Sequence, residues 1–216
     1  PDDDERFILF CRSVLDMLPE LDWQPDIIHC HEWHTAIIPN WLKSSYADQP
    51  FYKDIASVYT IHNLAFQGIF GYRVLEIAGI GEYSFDYPQR GDQSNVVSLM
   101  SLGIESADVI NTVSPTYAQE ILTPQYGEHL DKILQKREND LFGILNGIDT
   151  THFDPASDRF LASNFNESSL DKRVQNKLDL QKEAGLPQNP DVPIIGMISR
   201  LANQKGFDLL AQIIEP

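Results

Sequence analysis

Four short β-rich runs in this 216-residue sequence each deliver polar, ligand-capable side chains at their ends. Asp26-Ile27-Ile28-His29-Cys30 leads into His31-Glu32-Trp33-His34, and Ser57-Val58-Tyr59-Thr60-Ile61 leads into His62-Asn63. Leu141 to Leu145 leads into Asn146-Gly147, and Pro193 to Ser199 leads into Arg200, with Lys205 five residues later. Ligands of open parallel sheets bind beyond the carboxyl ends of the strands, so these positions are candidates for chemistry. Arg200 supplies a planar fork for phosphate oxygens and Lys205 a point charge. A helix starting near Phe207 would add free amides, which suits a diphosphate.

Glu32 and Trp33 could hold a sugar, since carboxylates and indole faces suit hydroxylated rings. Gly68 and Gly71, after His62, would let backbone approach a ligand closely. The histidine cluster also raises a metal reading. A zincin needs histidines at i and i+4 on a helix with Glu between them. Here His31 and His34 are three apart at a strand-to-helix turn, so no metal is assigned. Strand alternation points His29 and His31 to one face and Cys30 to the other, and His29 and Cys30 read as buried structural residues.

The elements that position these groups alternate between two periodicities. Phe7, Phe10, Cys11, Val14, Leu15 and Leu18 form one face of a helix. Thr35 to Lys43 reads as a helix with Pro39 near the limit of where a helix accepts proline. Gln93 to Gly103 also reads as a helix. Ala107 to Val113 is a third strand, and Ser114-Pro115 is a strong helix start. Thr150 to Asn166 is polar and irregular, as in a linker. Ser168 to Ala184 is helical and mostly solvated, with Gly185 and Pro187 ending it. Strands alternating with helices predict an α/β architecture of parallel sheets, one up to about Gly147 and a second barely begun.

Composition excludes several function classes. The formal charge of −16 repels phosphate backbones and anionic lipid surfaces, so neither nucleic acid nor membrane is an expected partner. No apolar run reaches the length needed to span a bilayer. Two cysteines, Cys11 and Cys30, without CxxC spacing, suit a reducing compartment.

Five ordered motifs then carry a resemblance. They are His31-Glu32-Trp33-His34-Thr35-Ala36, Tyr59 to Gly68, Thr112 to Ala118, Leu145-Asn146-Gly147-Ile148-Asp149, and Ser199-Arg200-Leu201 with Gln204-Lys205-Gly206. Together they resemble bacterial glycogen synthases and plant or cyanobacterial starch synthases, glycosyltransferases of family 5. The resemblance implies the GT-B fold, two Rossmann-like domains. Residues 1–147 would be part of the N-terminal, acceptor-side domain, and residues 148–216 the hinge and start of the nucleotide-sugar-binding domain.

The resemblance also implies transfer of glucose from ADP-glucose, or UDP-glucose, to the non-reducing end of an α-1,4-glucan with retention of configuration. No cofactor beyond the substrate is implied, and the compartment would be the bacterial cytoplasm or the plastid stroma. His62, Arg200 and Lys205 would be the catalytic groups. Asn63, Asn146 and Gly147, with Arg200 and Lys205, would bind the donor, and Glu32 and Trp33 would lie on the sugar or acceptor side. Glu32 occupies a position where the family usually has Asp. The family's Lys-x-Gly-Gly-Leu loop is not found, nor is the downstream Glu and Gly-Gly-Leu segment, so a fragment is expected, inactive alone. Competing readings are a sucrose- or trehalose-type transferase and a non-catalytic glucan-binding module.

Overall fold

The computed structural model describes residues 2–81, 96–202 and 205–214. The chain divides into two compact units, Pro1–Asn146 and Gly147–Pro216.

The first unit is built on four parallel strands, β1 (Ile27–His31), β2 (Ala56–Ile61), β5 (Val109–Thr112) and β6 (Leu141–Gly143), in the order β1-β2-β5-β6. A separate antiparallel pair joins β3 (Ile69–Gly71) to β4 (Val96–Ser98). Tyr59, Ile61 and Ile110 are fully buried, and they meet α3 (Ile37–Lys43) and α5 (Leu99–Ser106), whose apolar residues are buried with them. In register, His31 pairs with Thr60, and Thr60 with Asn111. A polar row therefore crosses three strands.

Helix α1 (Asp3–Glu20) buries Ile8, Cys11, Leu15 and Leu18 at helical spacing, and Asp3, Asp4 and Glu5 complement its N-terminal dipole. Pro19 sits in its last turn and cannot donate to the Leu15 carbonyl. That carbonyl accepts instead from the Tyr52 hydroxyl at 3.0 Å. In α3, Pro39 is the third residue, where the amide would lack a helical partner anyway.

Two charged residues pin chain crossings. Asp108 precedes β5 and accepts from Ser57 N at 2.8 Å, from Ser57 Oγ at 3.0 Å, and from Lys43. Burial pushes its pKa up, but the bonds from Lys43 and Ser57 together hold it below the usual carboxylate value. Arg137 follows α7 (Asp131–Lys136) and donates to the carbonyls of Ile104, Glu105 and Ala107 at 2.7, 2.9 and 2.6 Å. These are the acceptors left open where α5 ends.

The helix expected over Gln93 to Gly103 is corrected. Gln93 to Asn95 lie outside the described residues, Val96–Ser98 is the strand β4, and the helix runs Leu99–Ser106. The β-branched pair Val96-Val97 favours the extended form, and Ser98 caps the helix by accepting from Ser101 N. The expected helix at Ser114-Pro115 forms as α6 (Pro115–Glu120), with Ser114 capping Tyr117 N. Two further helices had no clear periodic signal: α4 (Arg73–Ala78) and α7.

In the second unit, α8 (Arg173–Glu183) ends at Gly185, whose φ of 67° allows the closing bond from Leu186 N to Gln181 O at 2.8 Å. Ser163 and Asn176 exchange two hydrogen bonds, fixing the irregular stretch to α8. The strand expected over Pro193 to Ser199 does not form. A strand needs a ladder partner, and no strand exists among the described residues of this unit. Its apolar residues are correspondingly open, with Ile195 73% and Ile198 105% exposed.

Candidate active site

The ends of β1 and β2 bring His29, His31, Glu32, His62 and Asn63 into one polar cluster. After His31 the chain turns at once into α2 (Glu32–Thr35), and Glu32 takes a left-handed φ of 59°. That conformation costs a non-glycine residue about 1–3 kcal/mol and persists only where contacts hold it. Here the Glu32 carboxylate accepts from His62 N and, at 3.0 Å, from Asn63 N. Thr35 adds a clamp: its hydroxyl accepts from His31 N at 2.7 Å and donates to His31 O at 2.8 Å.

The loop after β2 is tied down along its length. Asn63 Oδ1 accepts from Ala65 N at 3.0 Å, closing a turn, and Leu64 N donates to the Tyr117 hydroxyl at 3.2 Å. Gln67 is buried and donates to the Glu128 carbonyl at 2.8 Å. The carbonyls of Gln67 and Gly68 accept from Met100 N and Leu99 N, both at 3.0 Å, at the start of α5. A fixed loop is what a binding side chain needs beneath it.

His62 emerges exposed at the strand end, with Nε2 3.1 Å from His31 Nδ1. Burial, then the neighbouring His29 and His62, lower the His31 pKa, while Glu32 opposes them. His29 is exposed, which corrects its reading as a buried residue, whereas Cys30 is buried as expected. The alternation holds: His29 shares the His31 face and hydrogen-bonds Thr60 Oγ1 at 2.6 Å. Burial pushes both cysteines up to about 12, so they are inert thiols.

Trp33 is half-buried rather than offered to solvent. Its ring stacks on His34 at 4.0 Å and packs near Phe70 at 5.4 Å. The Gly68 backbone lies so close that a Cβ there would fall 2.6 Å from the indole. Gly68, at φ +61°, thus makes room for Trp33, and nothing lies within 4 Å of a Cβ built on Gly71. His34 also contacts Phe7, apart from the His31–His62 pair.

Asn146 and Gly147 are exposed at the unit boundary. In the second unit Arg200 and Lys205 are both exposed, on a turn closed by Ala202 N to Arg200 O and Lys205 N to Ala202 O, each 2.9 Å. Gln204 lies outside the described residues. Lys205 stands just before α9 (Phe207–Ile213), whose N-cap is Gly206.

Sequence reasoning missed Thr35, Thr60, Asn111, Tyr117 and Gln67. Thr60 and Asn111 share the His31 register, so polar residues aligned across strands were the available signal. Tyr117 and Gln67 act through loop contacts that carry no periodicity.

A family model described as "Starch synthase catalytic domain" matches residues 1–136. The glycogen synthase of Moorella thermoacetica is 53% identical over 215 residues, and that of Thermotoga maritima 45%. Each alignment covers 100% of this chain and 44% of the relative, so the chain spans under half their length. The catalytic domain of Starch Synthase IV from Arabidopsis thaliana, solved bound to ADP and acarbose, is similar at TM-score 0.84 and 35% identity. That match covers 98% of this chain and 44% of the plant chain, and with it the α/β architecture is of GT-B type. This chain therefore belongs to the family of starch synthase catalytic domains.

Proposed function

We propose that the full-length protein containing this chain transfers glucose from ADP-glucose to the non-reducing end of an α-1,4-glucan, with retention. The observation that carries this reading is the likeness, over nearly the whole chain, to a starch synthase domain bound to ADP and acarbose. In this reading residues 1–147 belong to the acceptor-side domain, and residues 148–216 form the hinge and begin the nucleotide-sugar-binding domain. The protein would work in the bacterial cytoplasm or a plastid. No described helix is long and apolar enough to cross a membrane.

His62 and Asn63 contact the donor glucose, Asn146 and Gly147 lie near the donor, and Arg200 and Lys205 hold the diphosphate. The bond from the sugar C1 to the phosphate oxygen breaks as the bond from C1 to the acceptor 4-oxygen forms. Negative charge grows on the departing phosphate, and the two cations stabilise it more in the transition state than before. The phosphate takes the acceptor proton, so no general acid is required. Glu32 is assigned to holding the His62–Asn63 amides, on the sugar side, and Trp33 to supporting Gly68 beneath the same loop.

The test is incorporation of labelled glucose into glycogen by the full-length protein, with ADP-glucose and UDP-glucose compared. Transfer from ADP-glucose with retained α-linkages is expected. Transfer only to small acceptors such as a hexose would contradict the reading.

A further inference from the structure

Three imidazoles stand in a row on one face of the first sheet. The ring centroids of His29 and His31 are 4.2 Å apart, and those of His31 and His62 are 5.3 Å apart, each pair tilted by 33°. Hydrogen bonds at the two ends of the row constrain where the protons sit. Thr60 gives its one hydroxyl proton to Asn111 Oδ1 at 2.6 Å. His29 Nε2 lies 2.6 Å from that same hydroxyl oxygen, so this nitrogen must carry a proton and donate.

The same reasoning applies to His31 and His62. Between two neutral rings, one of the facing nitrogens donates and the other accepts. If His31 Nδ1 donated, both rings would hold the Nδ1–H form, which a neutral histidine side chain disfavours. If His62 Nε2 donates, both hold the favoured Nε2–H form. Burial, then His29 on its own strand and His62 on the next, lower the His31 pKa and so favour its neutral form. Glu32 favours the charge, but its carboxylate is occupied by the amides of His62 and Asn63. The Thr35 clamp on the His31 peptide holds the acceptor in place.

We propose that His31 is a positioning residue for His62: it accepts the Nε2–H and leaves His62 Nδ1 bare, so that the site takes a hydroxyl proton from the bound sugar. This rests on the assignment of His62 to the donor glucose. A site built for an O–H donor discriminates against analogues lacking that proton, because the acceptor covered by the ligand is then left unpaired.

Nitrogen-15 NMR of the histidine rings in this chain at neutral pH reads the protonation sites directly. Expected are protonated Nε2 and bare Nδ1 on both His31 and His62; a protonated Nδ1 on His62 overturns the proposal. In the full-length protein, His31→Leu should lower kcat/KM for the nucleotide-sugar by about tenfold or more and release the His62 tautomer. His31→Asn places an amide oxygen near the Nδ1 position and should keep the tautomer and most of the turnover. Unchanged tautomer and turnover in His31→Leu overturn the proposal, and if that variant does not fold, His31→Asn and the ring spectra decide. The assignment of His62 fails separately, if His62→Ala leaves glucose transfer intact while the ring protons sit as described.

Discussion

Glu32 links the two strand ends of the site. Its left-handed backbone is held by the bonds that its carboxylate takes from His62 N and Asn63 N. Removing the carboxylate leaves both amides without that partner, and hydrogen bonds to charged groups contribute about 1.5–3 kcal/mol each. Glu32→Ala should therefore lower stability by about 1–3 kcal/mol, once water replaces part of the loss. Urea denaturation measures this, and an unchanged midpoint would remove Glu32 from its role. Tyr59 gives the opposite expectation. Its hydroxyl is fully buried and lacks a hydrogen-bond partner among the described residues. Tyr59→Phe removes an unsatisfied group and should leave stability equal or higher. A loss above about 1 kcal/mol would show that the hydroxyl is bonded.

His31 gives stability a pH dependence at the same scale. Its folded pKa lies below the unfolded value, so between the two the unfolded chain binds more protons. Stability is then full above the unfolded pKa of about 6.5 and falls as pH drops toward the folded value. Melting temperatures across this window should decline less in His31→Asn than in the parent. Parallel curves would contradict the lowered pKa.

Gly68 shows how the site loop and the strand-to-helix turn are built against each other. A Cβ there would meet Trp33 at 2.6 Å, and φ is +61°. Gly68→Ala combines backbone strain with the collision and should cost about 2 kcal/mol or more. Denaturation of that variant, with indole fluorescence reporting Trp33, checks both effects. Elements whose signal is local were legible in the sequence: helix α1 (though Ile8 is buried on its inner face and Phe10 is exposed), the Ser114 cap, the Gly185 stop and the strands β1, β2 and β5. Elements that depend on partners were not. Pro193 to Ser199 has strand composition but no neighbouring strand to bond among the described residues, and Val96–Ser98 becomes extended by pairing with Ile69–Gly71. In the site, His31, Glu32, His62 and Asn63 stood out by type and by place at strand ends. Their supports Thr35, Tyr117 and Gln67 did not, because tertiary contacts select them.

At the scale of the whole molecule, the chain spans 44% of its relatives' length, and its second unit forms no strand among the described residues. Arg200 and Lys205, the cations assigned to the diphosphate, are both exposed in that unit. The 216-residue chain by itself should transfer no glucose from ADP-glucose to glycogen, and measurable transfer would contradict the expectation of a fragment inactive alone. In the full-length protein, Arg200→Ala and Lys205→Ala should each lower kcat by about 10²–10³-fold, the scale for losing one electrostatic donor.

The most direct test of the account is a crystal structure of the full-length protein with ADP-glucose. It should place the His62 imidazole within hydrogen-bond distance of the glucose, and Arg200 and Lys205 on the diphosphate oxygens. A nucleotide-sugar bound away from these three side chains would contradict it.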